Sequence, residues 1–150
     1  MARYFELRFV EQNIAVRARL LETEMPRTCG ELLKHLPLES DATHARYSGS
    51  EVAMLLSTEI KINREKATCA VQTGDVAYVW LNRDDHYGLE DDVSEICWFY
   101  DRDSRPSMAE GPVLVNVFAR IEGDARAFYK ASADTRISGV KKVRIRLIEQ

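Results

Sequence analysis

The sequence predicts a mainly β protein: a closed antiparallel β-barrel of about eight strands with two short capping helices. Three observations carry this expectation. Apolar and polar residues alternate in short runs separated by turn residues, which is the period of strands with one buried face. Two runs, residues 76 to 81 and 96 to 100, are apolar on both faces and must be covered on both sides. Only two stretches carry helical spacing, too few to supply the crossovers of a parallel sheet. The length of 150 residues suits a single domain over 1–150.

The first run places Phe5, Leu7 and Phe9 on one side and Glu6 and Arg8 on the other. Ile14, Val16, Ala18 and Leu20 follow after Glu11-Gln12-Asn13, so residues 3 to 21 are expected to form a hairpin. Pro26 suits a first helical turn, Cys29, Leu32, Leu33 and Leu36 recur at helical spacing, and Pro37 ends the pattern. Strand is expected again from Thr43 through Val52, Met54 and Leu56, then over Ala67, Cys69 and Val71, with a turn at Gly74-Asp75. The doubly apolar strands flank a polar loop from Asn82 to Ser94, and a second loop runs from Asp101 to Gly111. A strand over 112 to 121, a short helix capped by Asp124 and running through Phe128 and Tyr129, and a last strand with Val143, Ile145 and Leu147 complete the chain.

Composition excludes several classes of function. Lys and Arg number 21 against 24 Asp and Glu, a net charge of −3, which argues against a nucleic-acid partner held by phosphate contacts. A hydrophobic share of 45% with 7 Gly and 4 Pro excludes disorder and fibrous repeats. The N-terminus alternates polar and apolar residues at once, and no run approaches the ~20 apolar residues of a membrane span. The expected setting is the cytoplasm, away from membranes. Cys29, Cys69 and Cys97 stand far apart without a C-x-x-C pair, so they read as reduced thiols and no metal is expected. No motif calls for a cofactor.

The stretch from His44 to Glu51 carries most of the candidate chemistry. Strand alternation would aim His44, Arg46 and Ser48 at one face, with Ser48-Gly49 as a bulge or tight bend. That face meets either solvent or a polar pocket, because three such groups are costly to bury unpaired. A fixed Arg beside an aromatic wall is a receptor for a carboxylate, since its guanidinium forks onto two oxygens. A hydrolase built on His44 with Ser48 or Glu51 lacks a third member. His86 with Asp84, Asp85 and the acidic residues 90 to 92 reads as a solvated loop, and Arg102 and Arg105 are loop cations able to close over an anion. Trp80, Trp98, Phe99 and Tyr100 read as core rather than a stacking platform for bases. Lys141, Lys142, Arg144 and Arg146 form a basic strand face that leaves contact with a second copy of the chain open.

Three segments carry a family resemblance: His44-Ala45-Arg46-Tyr47-Ser48-Gly49, Gly74-Asp75-Val76-Ala77-Tyr78 and Glu95-Ile96-Cys97-Trp98-Phe99-Tyr100. With the order of elements, they make the chain similar to an uncharacterised bacterial family of stand-alone cyclophilin-like β-barrel proteins. The resemblance implies a cyclophilin-like barrel in which Arg46 matches the arginine that holds a prolyl carbonyl in true cyclophilins. Such a catalytic Arg46 needs an apolar seat for the proline ring, for which Met54, Trp98 and Phe118 are the candidates. The chain has no Gln-Gly-Gly-Asp after the arginine segment and no Gly-Ser-Gln-Phe-Phe run. The expected function is therefore binding of a small anionic molecule or short peptide by His44, Arg46, Ser48, Glu51 and Tyr100, with prolyl isomerisation through Arg46 as the alternative.

Overall fold

The alternation over residues 3 to 21 forms the expected hairpin. In the computed structural model, which describes residues 1–148, β1 (Tyr4–Phe9) buries Phe5, Leu7 and Phe9, and β2 (Ile14–Leu20) buries Val16, Ala18 and Leu20. Asn13 takes the left-handed turn conformation at φ 57° that its short polar side chain tolerates. Next come α1 (Pro26–Leu33), β3 (Leu38–His44), β4 (Glu51–Leu56), β5 (Asp75–Leu81) and β6 (Val93–Phe99). The two-residue strands β7 (Ser107–Met108) and β8 (Gly111–Pro112) make a small ribbon, and β9 (Asn116–Glu122), α2 (Arg126–Ser138) and β10 (Lys141–Ile148) follow.

Eight of these strands close into an antiparallel barrel in the order β1-β10-β3-β4-β6-β5-β9-β2. Closure leaves no unpaired strand edge in the barrel wall. Inward side chains of β6 and β5, including Trp98, Ile96, Tyr78 and Val76, join Phe5, Leu7, Phe9 and Met54 in the barrel core. Their outward neighbours Cys97, Phe99, Ala77 and Val79 pack with Ala53, Leu81 and Val115 in a second apolar layer, covered by Val71, Met108 and Val113. That second layer explains why β5 and β6 are apolar on both faces.

Register sets the two mouths. β3 ends, β4 starts and β6 ends at the first mouth, while β4 ends, β6 starts and β9 starts at the second. α2 covers the first mouth. Phe128 packs 4.9 Å from Phe9 and 5.7 Å from Trp98 between ring centroids, and the Trp98 indole N–H donates to Ser132 Oγ at 3.0 Å. Burying rings of this size contributes about 1.5–3 kcal/mol each.

α1 and residues 57 to 66 cover the second mouth. Met25 precedes α1 without a capping side chain, and Glu65 takes that role from far along the chain. Its carboxylate accepts from the backbone N–H groups of Arg27 (3.1 Å) and Thr28 (2.8 Å) and from the Thr28 hydroxyl (2.7 Å). Burial alone would raise the Glu65 carboxyl, yet these hydrogen bonds hold it below its ordinary value. The Tyr78 hydroxyl donates to the Ile60 carbonyl at 3.0 Å and accepts from Ile62 N–H at 3.2 Å, pinning the covering segment to β5.

Several boundaries differ from expectation, among them the end of α1 at Leu33 and the start of β6 at Val93. The strand after α1 begins at Leu38 rather than Thr43 and stops at His44. Residues 67 to 71 are not a strand: Thr68 makes one isolated bridge to Val115, and Val71 serves as cover over the outer layer. The run from Pro112 enters the barrel ladder only at Asn116, because Pro112 belongs to the ribbon. The second helix runs on to Ser138, with small residues Ala131, Ser132 and Thr135 facing the barrel.

Candidate functional site

Because β3 stops at His44, the alternation expected through Arg46 and Ser48 does not exist, and residues 45 to 50 form a turn instead. Gly49 at φ 72° makes that turn tight. His44 shares a face with the buried Ala42, pairs with Val52 and points into the first mouth. Arg46 is exposed beside it. Ser48 is buried elsewhere: its oxygen accepts from Ser107 N–H at 2.8 Å and its hydroxyl donates to the Ser107 carbonyl at 3.1 Å. Glu51 is buried too, on the outward face of β4, opposite the inward Val52.

The structure thus gathers His44, Arg46 and Tyr100, separates Ser48 and Glu51 from them, and adds Arg136 from the last turn of α2. His44 Nδ1 lies 2.8 Å from the Ala45 carbonyl, which places the ring hydrogen on Nδ1. Nε2 is then an acceptor. It lies 2.6 Å from the Tyr100 hydroxyl and 2.9 Å from Arg136 Nε, whose N–H donates to it. Burial lowers the pKa of His44 and the Arg136 guanidinium acts in the same direction, against the Ala45 carbonyl and the Asp103 carboxylate, which raise it; the N–H that Arg136 donates to Nε2 requires that nitrogen to carry no proton. Arg136 Nη2 also donates to the Gly49 carbonyl at 3.1 Å.

These contacts frame an open recess of about 390 Å³ lined by His44, Ala45, Arg46, Gly49 and Arg136. Neither of its two guanidinium groups is ion-paired among the described residues, and the Asp103 carboxylate stands behind Gly49 at the rim. Two of the five Arg136 N–H groups are used within the protein, and the others are free to meet a ligand. Arg102 and Arg105 do not line it, and the Arg105 side chain turns towards Cys69 at 3.9 Å. Met54, Trp98 and Phe118 offer no seat at Arg46, since all three are sealed in the barrel core.

Gly49 holds the recess in shape. A Cβ there would sit 2.5 Å from the Asp103 carbonyl oxygen, and the positive φ adds strain for any other residue. Gly49→Ala is expected to destabilise the fold by about 2–3 kcal/mol in urea denaturation. A loss below about 0.5 kcal/mol would show that the turn adapts freely.

Glu51 contributes to a different cluster. Burial pushes its carboxyl up to about 7, and the neighbouring Ser48 and Cys97 side chains offset this only in part. Burial also pushes Glu95 up to about 8, with Glu51 adding charge repulsion, and raises the Cys97 thiol far above its ordinary value. Burial lifts Cys29 to about 12, so both buried cysteines are protonated and inert at neutral pH.

With this geometry in place, comparison with known proteins becomes informative. Residues 8–147 match the profile of the family described as protein of unknown function (DUF3830). The chain belongs to that family. No curated protein sequence matches this DUF3830 member. Its fold is similar to a structure of McbB in complex with tryptophan, with a TM-score of 0.67 and 17% identity over 95% of this chain. The DUF3830 chain spans 44% of the length of McbB. It is also similar to the solution structure of the hypothetical protein AF2241 from Archaeoglobus fulgidus, with a TM-score of 0.58, 20% identity, and coverage of 97% of this chain and 94% of that one.

The remaining candidates fall into place around this fold. No three metal-ligating side chains come together among the described residues, and His86 Nδ1 meets Glu110 at 3.2 Å. Trp98, Phe99 and Tyr100 are core, whereas Trp80 is only half-buried. The basic strand meets acids of its own chain: Lys141 pairs with Asp134, Arg144 lies 4.0 Å from Glu39, and Arg146 binds Glu6. No helix among the described residues is long and apolar enough to cross a membrane.

Proposed function

We propose that the recess at the first mouth binds the carboxylate of a small organic acid or of a short peptide, with Arg46 and Arg136 as the charged receptors, His44 as the side chain that orients Arg136 and Tyr100 as the group that holds His44. The observation that carries this reading is Arg136 reaching from α2 to both His44 Nε2 and the Gly49 carbonyl. A guanidinium fixed at two points loses little freedom when its remaining N–H groups take up two carboxylate oxygens. Amino acids carry such a group, and the McbB structure holds tryptophan, which is compatible with this class of ligand. Arg46 is exposed and its envisaged prolyl seat is internal, so isomerisation draws no support from the site. The same reading treats the chain as one domain of a cytoplasmic protein and as cyclophilin-like, the latter supported by a helix over each mouth of a closed eight-strand barrel.

The test is calorimetric titration with succinate and with neutral succinamide. Saturable binding of succinate alone is expected, weakened at least tenfold by Arg136→Gln and again by Arg46→Gln. Equal binding of succinamide, or unchanged affinity in both variants, would refute the assignment.

A further inference from the structure

A second concavity, larger than the recess at His44, lies at the second mouth, across the barrel from it. It encloses about 620 Å³ between residues 61 to 64, the end of β5 and residues 112 to 116. That volume far exceeds a bare ion and falls in the range of small-molecule pockets, which runs from roughly 300 to 1,000 Å³.

Its base is fixed. Asn116 Nδ2 donates to the Thr28 hydroxyl at 3.1 Å and to the Asn63 carbonyl at 3.0 Å, while its Oδ1 accepts from Glu65 N–H at 2.9 Å. These bonds tie α1, the covering segment and β9 together behind the pocket. Its walls combine two chemistries. Trp80 and Leu114 present apolar surface, and Leu114 is 39% exposed although it is a large aliphatic residue. Lys61 Nζ stands 4.9 Å from the centroid of the Trp80 ring, where the indole face holds the ammonium in place. The Arg64 guanidinium has no partner among the described residues, since only its backbone carbonyl is engaged, by Arg27 at 3.1 Å. Among the charged side chains that line the pocket, Lys61 and Arg64 exceed Asp85 by one positive charge; the Glu110 carboxylate stands behind the lining residue His86, 3.2 Å from its Nδ1.

We propose that this pocket binds an aromatic carboxylate, its ring seated on Leu114 and the part of Trp80 that Lys61 leaves uncovered and its carboxylate held by Lys61 and Arg64. An excess of one positive charge suits a monoanion, and an apolar wall next to an ordered cation suits a ring that carries its charge at one edge. This site is separate from the recess at Arg136, because β4, β5 and β6 run their full length between the two mouths.

The probe is naphthalene-2-carboxylate, read through the indole N–H signals of a ¹⁵N-labelled protein. Trp80 lines the pocket and Trp98 is buried against α2, so each signal reports one end of the barrel. Trp80→Phe assigns the two signals. A saturable shift of the Trp80 signal with Trp98 unchanged is expected, with at least tenfold weaker binding of neutral 2-naphthamide. The Lys61→Gln, Arg64→Gln double variant is expected to lose at least tenfold in affinity. No saturable shift, a shift confined to Trp98, equal binding of 2-naphthamide, or full affinity in a folded double variant would each overturn the proposal. The 2-naphthamide comparison uses the wild-type protein and decides the matter even if the double variant fails to fold.

Discussion

Glu51→Gln combined with Glu95→Gln is expected to remove most of the stability loss that the wild-type protein shows between pH 5 and pH 8. In the fold, burial pushes the two carboxyls up to about 7 and about 8, from an ordinary value of 4.5. Between those limits the folded state holds protons that the unfolded chain has released. Stability therefore falls as pH rises above about 4.5, by up to about 1.4 kcal/mol per pH unit for each carboxyl, until the folded groups ionise. Carboxyls such as Glu6 and Asp124, held down at about 2 by their arginine partners, act only at lower pH, while His44, whose pKa burial lowers, works in the opposite direction to Glu51 and Glu95 in the acidic part of this window. Glutamine keeps the shape of the protonated acid and cannot ionise. Urea midpoints at pH 5, 6, 7 and 8 check the prediction: a falling series for wild type, and for the double variant a series that no longer falls and rises slightly at its acidic end as His44 loses its proton in the unfolded chain. Parallel slopes would show that Glu51 and Glu95 ionise freely in the fold.

The second large effect is expected at Phe128. Its ring joins α2 to the barrel through Phe9 and Trp98, at centroid distances of 4.9 and 5.7 Å, and it is 1% exposed. Phe128→Ala is expected to cost about 3–5 kcal/mol, because a buried ring is lost and the mouth cannot collapse onto the space it leaves. The same change loosens the helix that carries Arg136, so succinate affinity is expected to fall even where the variant remains folded. Denaturant unfolding with titration on the folded fraction separates the two effects. A cost below about 1.5 kcal/mol with unchanged affinity would mean that α2 is seated by other contacts.

The barrel was legible in the sequence where side chains alternate cleanly, as in Phe5, Leu7 and Phe9, and where both faces are apolar, as in β5 and β6. It was illegible where the pattern is carried by small or polar residues. β3 reads Leu-Glu-Ser-Asp-Ala-Thr-His, in which only Ala42 is fully buried, so its hydrophobic period is too weak to mark a strand. The buried face of α2 beyond Phe128 consists of Ala131, Ser132 and Thr135, whose hydroxyls bond back to the carbonyls of Phe128 and Ala131. That weak stripe hid the helix extension, and with it Arg136.

The site was legible in part for the same reason. His44, Arg46 and Tyr100 converge because β3 and β6 end at one mouth. Ser48 was grouped with them by strand alternation, which fails because β3 stops at His44 and Gly49 turns the chain, and Glu51 by its place in the same short stretch. The only sequence signal for Arg136 was a lone cation shortly before Gly139, and its pairing with His44 spans 92 positions. The pocket at Trp80 was hidden because its lining comes from three separate segments that the barrel closure brings together.

The most direct test of the central claim is an NMR titration of wild-type protein with succinate, following the arginine Nε–H and histidine ring signals. Saturable shifts at Arg46 and Arg136, with His44 neutral and carrying its hydrogen on Nδ1 before ligand is added, are the expected result. A His44 ring protonated at pH 7, or saturation without movement of either arginine, would contradict the account.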